Sequence, residues 1–500
     1  MDASHFPECW ERVSDRSRPW MFLVSSPCPV GDLPQKLGMA DYSYGFVVKS
    51  LAPVLERLGH WRQVIAPESC LVYAAAQAID EGFRPVHLAV MPVHAAYLTP
   101  AVPTILFPFW EFPRIPDRDF GWETRQNWAR VARRASLIVT ASEMTAKSFR
   151  QAGVGCPVEV VPVPIADTAC RVPPWSPDFT WRITCRHVSW GGPPVDPGEP
   201  PSPDPFPPPG KLPVWGAGVK DRYKRYIRPW LSPQAQQWVS QSKRATLQAL
   251  RRRMPIVVEP LPQLRPTRLE LSGLVYTSVF NLGDLRKNPH DMLTAFLLAF
   301  RDRPDVTLVL KLATRPETEL HEVENFRNLY LGYGIEHHCR VVVITDYLSD
   351  DELLGLFRAT TFYVNTSRAE GACLPLQQAL ACGRPGIAPA HTAMADYMDD
   401  RVGFVIASQP EPTHWPHDPQ KRIMTSWQRL DWSSLHDQYL RSAELASSSP
   451  AGYEAMAASA HRRMKNYASV DVVTNAFRRV VDQVGEAPLG ALDWQEDRAA

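Results

Sequence analysis

The sequence predicts an α/β protein made of two Rossmann-like domains with a proline-rich insertion between them. Three observations carry that reading. Short apolar runs alternate with stretches of helical spacing in two separate blocks, 20–165 and from 271 onward. Such alternation is the pattern of a parallel sheet covered by helices. Between the blocks the pattern breaks: Gly191-Gly192-Pro193-Pro194 and Pro207-Pro208-Pro209 build neither a ladder nor a long helix. Finally, 500 residues with 45% hydrophobic content suffice for two or three ordinary cores.

In the first block, 20–24 reads as a strand. Phe46, Val47, Leu51, Val54, Leu55 and Leu58 have helical spacing, and Gly59 ends that helix. Apolar runs at 86–90, 104–107, 137–140 and 158–164 read as further strands. Residues 222–253 mix Tyr223, Tyr226, Trp230 and Trp238 with many arginines and lysines, with Pro229 and Pro233 breaking any early helix. In the second block, 274–280, 306–312, 341–344 and 361–364 are the expected strands. Residues 292–300 and 352–357 are expected helices, the latter capped near Ser349. Helices are expected again from 453 to 484. The resulting division is 1–165 for the first domain, 166–270 for a linker with a basic helical insertion, 271–450 for the second domain, and 451–500 for C-terminal helices and a tail.

Composition excludes several classes. Lys plus Arg number 54 and Asp plus Glu 53, a net charge of +1, which argues against a globally basic nucleic-acid binder. No apolar run approaches the ~20 residues of a membrane span, and the N-terminus has neither the basic start nor the apolar core of a signal peptide. Nine scattered cysteines fit reduced thiols, not a disulfide framework or a zinc site, so a cytoplasmic location is expected.

The most informative stretch is 370–385. It opens on Glu370 after a strand, enters a helix at Pro375 and stops at Gly383. A carboxylate and several backbone N–H groups therefore lie between a strand end and a helix N-terminus, where an open α/β sheet binds phosphorylated ligands. A second motif, 280–289, places Arg286 and Lys287 after a strand and before a helix. Arginine grips phosphate bidentately and lysine acts as a point charge. A third, 345–353, places Tyr347 and Leu348 in a strand-to-helix loop. The loop 37–45 carries Gly38, Asp41, Tyr44 and Gly45, and 108–116 sets Glu111 among Phe109, Trp110 and Phe112. His391 follows the 370–385 helix. For each motif the alternative is a purely structural role, as a helix cap, a solvated basic turn or an aromatic core.

Glu370, seven residues, Gln378, a small-residue helix end and Gly383-Arg384-Pro385 resemble the signature of family 4 glycosyltransferases, the group 1 glycosyl transferases. That signature has a second Glu where this chain has Gln378, and commonly Gly where it has Cys373. The resemblance implies the two-domain GT-B fold, with an N-terminal acceptor domain and a C-terminal donor domain. It implies retaining transfer from a nucleoside-diphosphate sugar to a glycan, lipid-linked or small-molecule acceptor, with neither metal nor cofactor, as in polysaccharide biosynthesis. Glu370 would be the catalytic residue. Arg286, Lys287, Gly371, Ala372, Cys373, Leu374, Gln378, Tyr347 and Leu348 would bind the donor. Gly38, Asp41, Tyr44, Trp110 and Glu111 would face sugar or acceptor. The alternatives are a sugar-nucleotide epimerase or phosphorylase of the same fold, or a non-catalytic nucleotide-sugar binder. The basic aromatic segment 220–255 has two readings, peripheral contact with a membrane surface or a solvated helical face.

Overall fold

The computed structural model describes residues 17–36, 38–39, 41–119, 124–169, 171–192, 264–315, 317–415, 418 and 421–486. In the N-terminal half, β1 (Trp20–Ser25) leads to α1 (Tyr42–Leu58), β2 (Gly59–Gln63), α2 (Pro67–Asp80), β3 (Arg84–Ala89) and β4 (Thr104–Leu106). Then come α3 (Trp128–Ala132), β5 (Leu137–Thr140), α4 (Glu143–Gln151), β6 (Val158–Val160) and α5 (Ala166–Ala169). The strands form one sheet in the order β2-β1-β3-β4-β5-β6, with every neighbouring pair parallel. α1 turns Val47, Val48, Leu51, Val54 and Leu55 inward, as its spacing requires.

Three strands open the second half: β7 (Trp181–Cys185), β8 (His187–Trp190) and β9 (Thr267–Leu271). They are followed by β10 (Leu274–Phe280), α6 (Pro289–Ala299), β11 (Val306–Leu312), α7 (Glu319–Gly332), β12 (Arg340–Ile344), α8 (Asp350–Ala359) and β13 (Phe362–Val364). The chain continues through α9 (Leu374–Ala381), β14 (Gly386–Ala388), β15 (Gly403–Val405), the hairpin of β16 (Ser408–His414) and β17 (Met424–Leu430), and α10 (Trp432–Ser448). The second sheet runs β15-β14-β13-β10-β11-β12-β8, parallel except for β8, which joins its edge antiparallel to β12. Every residue of β11 is buried, and all but Val279 of β10. Central parallel strands covered on both faces carry such continuous apolar runs. The expected cap of α8 is a full capping box between Ser349 and Glu352.

One sequence expectation needs adjustment. The segment 166–270 is not all linker, since β8 extends the second sheet and β7 pairs with β9. The local pattern missed them because they are short and paired over long range. The proline-rich run and the basic aromatic stretch, from 193 to 263, lie outside the described residues, and so does the membrane-contact reading of 220–255. Among the described residues no helix is long and apolar enough to cross a membrane.

The C-terminal helices tie the halves together. α11 (Pro450–Ala468) packs on α9, and α12 (Val470–Glu486) returns to α1. There Phe477 meets Phe22 edge-on at 6.1 Å and Arg57 pairs with Asp471 at 2.5 Å. One apolar cluster consequently runs from Phe22 and Val47 through Leu376 and Tyr397 to Phe477. This is the GT-B arrangement, two Rossmann-like domains about a cleft.

Sheet order fixes where a ligand belongs. In the second sheet β10 neighbours both β11 and β13, so the strand order reverses beside it, with β11 and β12 added on one side and β13, β14 and β15 on the other. The crevice outside the carboxyl ends of such strands is the binding position of open α/β sheets. β10 ends at Phe280 and β13 at Val364, so 281–288 and 365–373 are the loops at that point. In the first sheet the equivalent reversal lies at β1, and the chain leaving β1 carries Gly38.

Candidate active site

The loop after β10 builds its own scaffold. Asp284 accepts from the Arg286 N–H at 3.2 Å and grips its guanidinium at 3.0 and 2.6 Å. A short 3-10 turn, Leu285–Lys287, follows. Asn288 then takes a left-handed conformation (φ 51°) that lets Pro289 start α6. The loop after β13 is stitched to it. The Arg368 N–H donates to Arg286 O at 2.7 Å, and the Thr366 hydroxyl donates to Lys287 O at 2.9 Å. Arg286 Nη1 donates to Ala369 O at 2.9 Å.

These bonds place Lys287 Nζ 2.6 Å from Glu370 Oε1. Glu370 is only 5% exposed. Burial alone would raise its carboxyl, yet Lys287 and then Arg286 hold it below the ordinary carboxylate range. Burial likewise works against the Lys287 charge, and Glu370 overcomes it, leaving the ammonium above the ordinary lysine value. Both groups are therefore ionised at neutral pH. Lys287, Tyr363, Asn365, Glu370 and Cys373 help to line a small cavity beneath the pair.

Gly371, Ala372 and Cys373 carry the chain into α9. Cys373 sits at the N-cap with φ 57°, a left-handed conformation easier for glycine. The amide of Asn365 donates to its sulfur at 3.2 Å, and burial raises the thiol far above its usual range. At the start of α9 Pro375 has no N–H and the Leu376 N–H bonds the Cys373 side chain, so the Leu374 N–H and the helix dipole are what favour an anion there. Gln378 is half-buried on α9. Its neighbour Gln377 is the glutamine tied to this loop, donating to Ala372 O at 2.8 Å.

The N-terminal half closes over these groups. A Cβ on Gly371 would lie 3.1 Å from Trp110 O, so the two backbones are almost flush. Glu111 Oε1 is 3.2 Å from Arg286 Nη1, an ion pair across the cleft. Trp110 reaches the site through its backbone and not through its ring. The ring is 3% exposed, 4.7 Å from Trp128 and 5.4 Å from Trp415, and it belongs to an apolar cluster. An exposed sugar-stacking platform is thereby excluded, because the hairpin after β15 covers that face.

Gly38 takes φ 78°, and a Cβ there would come 2.6 Å from the Thr314 carbonyl carbon. Its carbonyl accepts from Asn281 at 3.2 Å. Asp41 precedes α1 without a side-chain cap bond, and Tyr44 is buried edge-on to Phe109 at 5.7 Å. Leu348 is buried beneath α8, while Tyr347 is half-buried near Tyr42. Lys49 on α1 pairs with Asp350 at 2.5 Å beside them. The structure thus gathers Glu370, Lys287, Arg286 and Glu111 into one network. Tyr347 and Leu348 stand apart, at the end of β12.

Sequence reasoning missed Asp284, Asn365 and Thr392. The spacing Asp284-x-Arg286 was a usable signal, because an Asp two residues before a donor commonly caps it. Asn365 and Thr392 gave none. Their role depends on long-range contacts, such as the Glu370 N–H donating to Thr392 Oγ1 at 3.1 Å.

No curated protein sequence matches the chain. Solved structures do resemble it. Sucrose-phosphate synthase from Thermosynechococcus elongatus is 13% identical with a TM-score of 0.52, covering 93% of this chain and 99% of its own. Anabaena Alr3699/HepE, solved with UDP and glucose, is 14% identical with a TM-score of 0.44 over the same shares. At these identities the former likeness concerns the fold. The sequence evidence falls on the half that holds the ion-pair network: residues 276–416 match the family described as Glycosyl transferases group 1.

Proposed function

We propose that the protein is a retaining glycosyltransferase that takes a sugar from a nucleoside-diphosphate donor and needs no metal. The observation that carries this is the buried Lys287–Glu370 pair at the carboxyl ends of β10 and β13, inside the segment that matches group 1 glycosyl transferases. Arg286, Lys287 and the N-terminus of α9 offer positive charge where a leaving diphosphate would gather negative charge. Glu370 supplies a fixed acceptor for hydroxyls of the sugar.

In this reading the bond between the anomeric carbon and the diphosphate oxygen breaks, and its electron pair leaves with the phosphate. An acceptor hydroxyl then forms the new bond from the same face, through an oxocarbenium-like state. Its proton passes to the departing phosphate oxygen, so no separate base is required. The acceptor is a hydroxyl of a glycan, a lipid-linked sugar or a small molecule.

The test is a panel of UDP- and GDP-sugars with the purified protein, following nucleoside-diphosphate release and the anomeric configuration of any product by NMR. Release of the diphosphate with retained configuration supports the proposal. Inverted product removes the retaining mechanism. Binding without release turns the protein into a nucleotide-sugar binder.

A further inference from the structure

His391 lies in the turn after β14, beside Glu370, and three features set it apart. Its Nε2 is buried and has no hydrogen-bond partner among the described residues, while the side chain as a whole is 9% exposed. A buried ring nitrogen without a partner is costly and normally finds one. Its Nδ1, in contrast, lies 3.2 Å from Thr392 Oγ1.

Thr392 is the second feature. It is β-branched yet has φ 50°, a conformation strained for such a residue and typical of functional sites. That strain sets its hydroxyl 3.1 Å from the Glu370 N–H, while the Ala393 N–H donates to Glu370 O at 3.2 Å. The turn thus clamps the Glu370 backbone and holds the His391 ring through the same hydroxyl.

The third feature is charge. Burial pushes the imidazole down to about 4, against the pull of Glu370, so the ring is neutral at physiological pH. A neutral ring suits a hydroxyl better than an anion, and the anion already has Arg286, Lys287 and the start of α9. A sugar hydroxyl both donates and accepts, so it satisfies Nε2 in either tautomer.

We infer that His391 Nε2 contacts a hydroxyl of the sugar carried by the nucleotide, and so helps to select that sugar. The inference rests on the reading given under Proposed function. It separates recognition of the sugar, by Glu370 and His391, from recognition of the diphosphate, by Arg286 and Lys287.

Calorimetry of the full chain with UDP-glucose, UDP-N-acetylglucosamine and GDP-mannose, each beside free UDP or GDP, tests it. His391→Ala is expected to weaken the bound nucleotide-sugar by about fivefold to tenfold, the loss of one neutral hydrogen bond, and to leave the free diphosphate unchanged. His391→Gln, whose amide reaches the Nε2 position, restores the sugar-dependent part. His391→Asn, which reaches only the Nδ1 position, does not. Equal losses for sugar and free diphosphate, no loss for either, or rescue by Asn but not Gln would overturn the assignment and leave His391 as a support for Thr392. If wild-type protein binds none of these nucleotides, the glycosyltransferase reading falls first, whereas wild-type binding with indifferent His391 variants sinks only this inference. Matching melting temperatures show that the variants are folded.

Discussion

The loops leaving β10 and β13 bring Asp284, Arg286, Lys287 and Glu370 into one ion-pair network. The chain leaving β1 and β4 brings glycine backbone, buried rings and one carboxylate, Glu111, to the same cleft. The two sheets follow the same construction rule, yet their strand ends differ in chemistry. Charges buried at a strand end must be paired or they cost several kcal/mol, so the C-terminal loops hold both signs. The N-terminal loops need only fit, and they do so backbone to backbone at Gly38 and Gly371. One half provides the electrostatics and the other provides a wall that packs against it.

The sharpest way to break this contrast is at Glu370. Glu370→Gln keeps the shape and an acceptor for Lys287 but removes the charge. We expect the rate of donor turnover to fall roughly a hundredfold or more, as when a reacting group loses its alignment, and the melting temperature to fall as well, because Lys287 loses the anion that offsets its burial. Turnover near wild type would move the chemistry elsewhere in the cleft.

Arg286→Ala and Lys287→Ala come next. Hydrogen bonds to charged groups contribute about 1.5–3 kcal/mol, so each variant should bind UDP or GDP about tenfold to a hundredfold more weakly by calorimetry. Lys287→Ala also leaves Glu370 buried without its cation, so its melting temperature should fall more than that of Arg286→Ala, where Asp284 and Glu111 are partly exposed. Equal destabilisation would show that the two pairs are buried alike.

What the sequence revealed follows the same division. β1, β10 and β11 were legible because strands buried on both faces are nearly continuous apolar runs, and β3 was legible from its apolar residues around His87. β2 (Gly59–Gln63) was not, being a polar edge strand, and β14 and β15 are three residues each. The β16–β17 hairpin carries Pro410 and Pro412 in mostly exposed sequence, so it has no strand signature. At the site, Glu370, Arg286 and Lys287 were legible because each sits between a strand and a helix. The Trp110 ring takes the aromatic-core role that the sequence left as the alternative, which only tertiary structure decides, through Trp128 and Trp415. Asp284, Asn365 and Thr392 act through contacts that local pattern does not encode.

The N-terminal wall is probed at Gly38. Gly38→Val puts a β-branched residue at φ 78°, with its Cβ 2.6 Å from backbone of the other half. The left-handed conformation alone costs roughly 1–2 kcal/mol, and neither backbone yields easily. The two halves should part there, lowering turnover by about tenfold while free-diphosphate binding, which belongs to the other half, holds. Small-angle scattering would register the opening. Unchanged turnover would mean that the Gly38–Thr314 contact does not matter to the proposed transfer.

The smallest effect should come from the exception to the contrast, Glu111, the one N-terminal carboxylate in the network. It lies 3.2 Å from Arg286 Nη1, on the guanidinium we assign to the diphosphate. An anionic ligand must share Arg286 with Glu111 or displace it. Asp284 stays bound to the Nε–Nη2 edge of that guanidinium, so Arg286 remains oriented without Glu111. Glu111→Gln should therefore tighten free UDP or GDP by a few-fold, a modest gain because partly exposed ion pairs contribute only about 0–1 kcal/mol. The gain should shrink as salt rises, since screening already weakens Glu111 as a competitor. Weaker binding of the diphosphate in Glu111→Gln would reverse the assignment, making the carboxylate a support for Arg286 and the N-terminal half a contributor of charge to the site.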